Sequence, residues 1–371
     1  MIWGDYMYET ALELLNELSS YGYEAYIVGG FVRDYLLRLD SNDIDVTTNA
    51  TPKQLIDIFK GDLEPKIDYG SVKLIYHGVR FEITTDRKET NYSDNRHPDS
   101  IEYIDSLEED LQRRDFTINT ICIDKDGNII DLLDARKDLD EGIIKCIGDP
   151  KIRFRDDSLR ILRAIRFATA LDFKLDDNIV SAIDECRVYL KDLSYNRKKE
   201  ELDKMFTCKN VSKAIKTLLD FGLDKELELD RLKDIKATNS LIGIWAVLNV
   251  TDIYPFTSNE KDLIEDINTC LDLDNMDIEV LYKYGLYVNS VAGEIKGLDI
   301  KKMSDKYEHL VIHSRKDLYI TSEDIIKAIG KKHGPYVGEI YQDIEKLVLL
   351  ETLNNNNKDI IQYIKNNYSK K

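Results

Sequence analysis

The sequence predicts an α+β N-terminal head, a small mixed β-sheet with helices, followed by all-α neck, body and tail domains. Three observations predict it. Apolar, β-prone stretches bounded by glycine turns run from Ala25 to Thr85, with the two-residue alternation of strands. His77-Gly78 separates two of them and marks a two-residue hairpin. The character changes from Ile152, and from Asn210 to the end the chain is helical, leucine-rich and charged. The expected divisions are a head over 1–145, a neck over 146–205, a body over 206–300 and a tail over 301–371.

The bulk numbers set the frame. With 371 residues, 43% apolar and 33% charged, the chain can bury a sizeable core as two or more domains. No apolar run reaches membrane-spanning length and no leader is visible, so a cytoplasmic protein is expected. Cys122, Cys146, Cys186, Cys208 and Cys270 are scattered, as reduced thiols are, with neither disulfide nor zinc spacing. A formal net charge of −18 argues against indiscriminate nucleic-acid binding. The stretch Lys151 to Arg166 is locally basic, and such a strip still binds RNA with strong salt dependence.

Taken in order, Tyr6 to Leu18 reads as an opening helix with Leu12, Leu15 and Leu18 on one side. Ala25 to Val28 reads as a strand, Gly29-Gly30 as a sharp turn, and Phe31 to Leu39 as a helix with Val32, Leu36 and Leu39 inward. Asp43-Ile44-Asp45-Val46 alternates like a strand, so Asp43 and Asp45 project from one face while Ile44 and Val46 enter the core. Thr51-Pro52 opens another helix with Leu55, Ile56 and Phe59 as its apolar stripe. Gly70 to Tyr76 and Val79 to Thr85 complete the expected sheet.

The Asp43–Asp45 pair carries the chemistry. Two adjacent carboxylates repel each other unless water or a cation intervenes. A hard cation that keeps its waters and bridges to phosphate oxygens is magnesium. The turn at Gly29 and Gly30 precedes a helix and offers backbone N–H groups to an anion, and Arg33 adds a forked cation suited to phosphate. A phosphate cradle beside a metal-holding pair is the layout of phosphoryl or nucleotidyl transfer. Glu82 is either a third carboxylate facing the pair, a solvated strand residue or the partner of an arginine.

Further along, Asp86 to Ser106 is polar and aperiodic, with Arg87, Tyr92 and Arg96 prominent; a loop of that length tends to be functional. In Arg113-Arg114-Asp115-Phe116-Thr117-Ile118-Asn119, Arg114 suits a triphosphate clamp and Asp115 a ribose hydroxyl. Arg153 to Phe167 reads as one helix, with Asp157, Arg160 and Arg163 at spacing three along a face. That face is either an ion-pair ladder or an acceptor–donor set able to contact a base edge.

The runs GGFVRDYLL, DIDVTT and RRDFTIN resemble the signature of class II tRNA nucleotidyltransferases and bacterial poly(A) polymerases, of the DNA polymerase β superfamily. The likeness is strong over roughly residues 20–205. It implies CCA addition to tRNA from CTP and ATP with Mg2+, Asp43 and Asp45 holding the metal. It further implies that Asp157 and Arg160 read the base, that Arg163 and Arg166 bind nucleotide, and that the 86–106 loop serves terminal A addition. Asp126-Gly127-Asn128 and the following Asp131-Leu132 match a third motif that shapes the joint after the head. In Ser194 to Leu202, resembling a bracing motif, Asn196 stands where the family carries Glu. The resemblance assigns tRNA gripping to the helical tail, where Lys327, Lys331 and Lys332 are candidate phosphate contacts. A-only addition, poly(A) synthesis and a silent RNA-binding relative remain the alternatives.

Overall fold

The computed structural model describes residues 3–41, 43–60, 63–68, 70–90, 100–236 and 240–368. It divides into two compact units, Met1–Glu228 and Leu229–Lys371.

The first unit opens with α1 (Trp3–Ser20), which buries Met7, Ala11, Leu14, Leu15 and Leu18. β1 (Ala25–Val28) follows, then α2 (Gly30–Leu37), β2 (Ile44–Thr48) and α3 (Pro52–Ile58). The Thr51 and Gln54 side chains form a reciprocal capping box ahead of α3, with Pro52 inside its first turn. α2 ends two residues early: Arg38 adopts a left-handed conformation and Leu39, expected inside, is 50% exposed. Ile56 likewise lies outside, while Leu55 and Phe59 carry the inner face of α3.

β3 (Leu63–Asp68), β4 (Ser71–Tyr76) and β5 (Val79–Thr85) complete an antiparallel run. His77 and Gly78 both take positive φ, 48° and 78°, the turn whose twist matches the flanking strands. The sheet does not end at Thr85. β8 (Cys122–Ile123) and β9 (Ile129–Ile130) add to its far side, giving the order β3-β4-β5-β2-β1-β8-β9. Strands of two residues carry too little periodicity to be read from sequence. Only β2 and β5 pair in parallel within it, so the sheet is mixed. Between β5 and β8, the supposed connector supplies a separate two-stranded ribbon of β6 (Arg87–Thr90) and β7 (Ser100–Tyr103), then α4 (Leu107–Gln112). Tyr92 and Arg96 lie outside the described residues.

α5 (Ala135–Glu141) is capped by Asp131, whose carboxylate accepts from the N–H groups of Ala135 and Arg136. A short parallel pair, β10 (Ile143–Ile144) and β11 (Lys174–Leu175), encloses α6 (Pro150–Asp156) and α7 (Leu159–Ala170). The single helix expected over Arg153–Phe167 is therefore two. Asp157 is extended, with φ −147° and ψ 100°, and its carboxylate accepts from Leu159 N–H at the start of α7. Asp competes with the helical backbone in this way. α8 (Asp177–Cys186), α9 (Tyr195–Phe206), α10 (Val211–Asp220) and α11 (Leu223–Glu226) finish the unit.

The second unit is helical: α12 (Leu241–Leu248), α13 (Ser258–Leu271), α14 (Ile278–Lys296), α15 (Ile300–Glu308), α16 (Ser322–Ile329), α17 (Tyr336–Leu349) and α18 (Asn357–Tyr368). Among the described residues no helix is long and apolar enough to cross a membrane, and the five cysteines form no disulfide. α14 kinks at Gly285 (φ 73°), whose carbonyl is taken up by the buried Asn289 amide. The last three helices bury Ile325, Ile340, Ile344, Ile360 and Ile364 around one core. Lys327, Lys331 and Lys332 are exposed on this unit.

Candidate active site

The site forms on one face of the sheet because strand register brings acidic residues together. β1 and β2 are antiparallel with Val28 opposite Asp45, and β2 and β5 are parallel with Asp45 opposite Glu82. Ile44 and Val46 are buried on the other face, as alternation requires. Glu82 is thereby placed beside the pair, the third-carboxylate position that its sequence context left open. Asp43 lies just before the strand, two residues from Asp45. Gly29 turns at φ 79°, and a Cβ there would meet Asp45 Oδ2 at 3.0 Å. The close approach of this turn to Asp45 is available only to glycine.

Burial, with Glu82 and Asp43 adding repulsion, pushes the Asp45 carboxyl up to about 6, although Arg114 and Arg163 oppose the shift. These are all-oxygen donors with excess negative charge, which fits a hard divalent cation. Among the described residues no three metal-ligating side chains converge into a complete cage. A cation held by Asp43 and Asp45 would need further ligands from water and substrate.

Guanidinium groups wall the opposite side. Arg33, on α2, is buried and donates to Asn119 Oδ1 and Asp34 Oδ1, each at 2.8 Å. Arg114 is held by Asp110 through Nε and Nη2, at 3.3 and 3.1 Å. Asp115 receives Arg163 Nε at 2.7 Å and Asn119 Nδ2 at 3.0 Å. Burial raises Asp115's proton affinity, but Arg163, Asn119 and Arg160 outweigh it and hold the carboxyl far below its ordinary range. Arg166 donates to Glu201 at 2.6 Å. Arg33, Arg163 and Arg166 all pack over the Phe167 ring, 4.9, 5.4 and 4.1 Å from its centroid.

Asp157 and Arg160 reach the same cavity of about 690 Å³ despite the break between α6 and α7. Arg197 of α9 holds Asp157 Oδ2 at 3.0 Å. Arg160 donates to the carbonyls of Arg113 and Arg114, both at 3.2 Å, and Arg153 reaches the same two carbonyls. The basic strip of 151–166 is therefore largely committed to internal partners; Lys151, for instance, pairs with Glu185. Asn196, the departure from the bracing motif, is exposed, and the bracing contacts come from Arg197 and Glu201. Gly30 lines the cavity with these groups. Arg87 begins the β6–β7 ribbon, its N–H pointing to Asp110 Oδ1 at 3.4 Å.

Sequence reading missed Asp110, Asn119 and Phe167. Asp110 is fully buried and carries both Arg113 and Arg114. Its spacing of three and four to those arginines on a helix was the available signal. Asn119 and Phe167 gave none, since both meet Arg33, which is distant in sequence.

A mixed sheet that presents paired aspartates to a cleft walled by guanidinium groups defines a metal-dependent phosphoryl- or nucleotidyl-transferase. Family models agree and place the parts. A poly A polymerase head domain matches residues 25–145, a probable RNA- and SrmB-binding site of polymerase A matches 172–231, and a putative tRNA nucleotidyltransferase domain 2 matches 256–364. The CCA-adding enzyme of Ligilactobacillus salivarius (strain UCC118) is 32% identical over 388 residues, covering 96% of each chain. That of Staphylococcus haemolyticus (strain JCSC1435) is 33% identical, covering 98% of this chain and 99% of its own. The crystal structure of the Bacillus stearothermophilus CCA-adding enzyme in complex with CTP is 28% identical with a TM-score of 0.85, covering 97% of both chains. The chain belongs to the family of CCA-adding enzymes.

Proposed function

We propose that this protein adds the 3′-terminal CCA to tRNA from CTP and ATP, without a nucleic-acid template, releasing pyrophosphate. One observation carries the reading. Asp45 sits in register beside Glu82, under the Gly29 turn, and faces a wall of fixed guanidinium groups. That arrangement suits a reaction whose only demands are placement and neutralisation of charge.

Asp43 and Asp45 are the residues that hold magnesium. When bound, the metal lowers the pKa of the attacking 3′-hydroxyl and neutralises the triphosphate. Gly29 and Gly30 offer backbone N–H groups to the triphosphate. Arg33, Arg114, Arg163 and Arg166 surround it; each is already fixed by a carboxylate or by the Phe167 face, so little ordering remains for substrate binding to drive. Asp115 orients the ribose, with Asn119 and Arg163 fixing its rotamer. Asp157 accepts from, and Arg160 donates to, the edge of the incoming base. Arg160 keeps N–H donors beyond its two carbonyl bonds, since a guanidinium has five.

Residues 1–145 serve as the catalytic head, 146–205 as the neck that reads the base, 206–300 as the body and 301–371 as the tail that grips tRNA. The loop containing Arg87, Tyr92 and Arg96 serves the A addition. The protein works in the cytoplasm, where these substrates meet.

The test is single-nucleotide extension with magnesium on tRNAs ending at the discriminator base, after one C and after both. CCA built on the shortest substrate, followed by arrest, is the expected result. One A added only to the CC-ended tRNA makes this an A-adding enzyme. Long A tails on generic RNA make it a poly(A) polymerase. No incorporation by folded, tRNA-bound protein overturns the enzymatic reading.

A further inference from the structure

The face that carries Asp45 extends past the acidic residues onto the β4–β5 hairpin. Lys73 is opposite Glu82 across β4 and β5, and Glu82 is opposite Asp45 across β5 and β2. One row across three strands therefore reads Lys73, Glu82, Asp45. Neighbouring strands lie about 4.8 Å apart, which puts the Lys73 backbone roughly 10 Å from that of Asp45. Arg80 precedes Glu82 by two residues just as Asp43 precedes Asp45. Because β2 and β5 are parallel and Ile44 is opposite Phe81, Arg80 flanks Asp43 as Glu82 flanks Asp45. Lys73 and Arg80 are exposed and line the same cavity.

These two cations differ from the four arginines that suit the triphosphate. Arg33, Arg114, Arg163 and Arg166 are tied to Asp34, Asp110, Asp115 and Glu201. Lys73 and Arg80 have no ion-pair partner among the described residues, although Glu82 is a direct neighbour of Lys73. Lys73 is flanked in register by Glu64 on β3 and Glu82 on β5, and Arg80 precedes Glu82 by two residues, so both cations lie along an acidic row that opens into the cleft. Ile75, in register with Arg80, is 42% exposed between them and adds an apolar contact.

Geometry assigns them a ligand. In nucleotidyl transfer the attacking and leaving oxygens are in line on opposite sides of the reacting phosphorus. Of the arginines that suit the triphosphate, Arg33 is on α2, Arg114 follows α4, and Arg163 and Arg166 are on α7, whereas Lys73 and Arg80 are on β4 and β5. A strand that brings the attacking hydroxyl in across β4 and β5 would meet Lys73 and Arg80. We propose that Lys73 and Arg80 bind the phosphodiester backbone of the single-stranded 3′ end of the RNA acceptor, the last phosphates before the attacking hydroxyl. The inference rests on the tRNA reaction above and adds the residues that seat its second substrate.

The test measures binding of a tRNA ending after both Cs, whose 3′ end is single-stranded, as a function of salt for the full-length wild type, Lys73→Gln, Arg80→Gln and the double variant. A lost single-strand phosphate contact lowers the slope of log K against log salt by about 0.7, so the double variant loses about 1.4. The Michaelis constant for tRNA rises several-fold with each substitution while that for CTP stays constant. Lys73→Arg and Arg80→Lys restore both slope and constant. On a tRNA trimmed back into the acceptor stem, variants and wild type bind alike. An unchanged slope in the double variant overturns the proposal. So does a raised constant for CTP alone, or equal weakening on the trimmed tRNA. Wild type that binds tRNA but adds no nucleotide overturns the reaction, and the salt slopes then still decide the phosphate site.

Discussion

Asp45 on β2 and Glu82 on β5 are register partners across a parallel strand pair. This places a third negative charge against a half-buried aspartate and, after burial, contributes to raising its pKa to about 6. The folded protein therefore holds a proton on Asp45 that the unfolded chain releases nearer pH 4. Between those values the folded state binds more protons, so stability falls as pH rises through this window and stays lower above it. Asp45→Asn removes the charge. It is expected to stabilise the metal-free protein at pH 7 by on the order of 1–3 kcal/mol, while abolishing nucleotide addition and leaving tRNA binding intact. Thermal melts at pH 4 and pH 7, together with extension and tRNA-binding assays, check all three outcomes.

Magnesium competes with that proton. Its apparent affinity is expected to weaken below pH 6, so more metal is needed for half-maximal addition at pH 5.5 than at pH 7.5. Magnesium should also raise the melting temperature of wild type but not of Asp45→Asn, since a ligand that binds only the folded state stabilises it. A magnesium titration of rate at the two pH values is the measurement.

Asp110 is the buried anchor of two arginines and faces the start of the β6–β7 ribbon. Burial pushes its carboxyl up, but Arg114 and Arg113 more than offset this and lower it. Asp110→Asn removes the buried carboxylate that holds two part-buried guanidinium groups. Breaking such a pair costs about 3 kcal/mol. The Michaelis constants for CTP and ATP should rise about tenfold, the equivalent of roughly 1.4 kcal/mol, through loss of Arg114's placement. Steady-state kinetics on protein shown to be folded read this out.

Gly29→Ala forces a side chain into a left-handed backbone and to 3.0 Å from Asp45 Oδ2. The carboxylate or the turn must shift, and a 1 Å misplacement costs on the order of 100-fold in rate. Gly78→Ala, at the distant hairpin tip with open space around it, serves as the strain control and should retain activity.

Glu201 and Asn196 share a helix but not a role. Glu201→Gln weakens the hold on Arg166 and Arg163, and should lower kcat/KM for both nucleotides by more than tenfold, about 1.4 kcal/mol. Asn196→Ala, at an exposed position, should stay within twofold of wild type. Paired kinetics of the two variants settle the contrast.

The sequence by itself determined the local pieces. The Gly29-Gly30 turn, the His77-Gly78 hairpin, the Thr51-Pro52 helix start and the projection of Asp43 and Asp45 from one face all rest on backbone preferences and side-chain periodicity within a few residues. The family motifs could be read for the same reason, as contiguous runs. Tertiary structure alone decided what depends on pairing between distant segments. Glu82 became a neighbour of Asp45 only through the parallel register of β2 with β5. Phe167 shares α7 with Arg163 and Arg166, and gained Arg33 as a third guanidinium neighbour only because α2 comes to its ring. The break at Asp157, read as continuous helix, is held by Arg197 and by the Ser158 hydroxyl donating to the Tyr189 carbonyl. A charge's partner is set by three-dimensional distance, and sequence spacing reports that distance only within one helix or one hairpin.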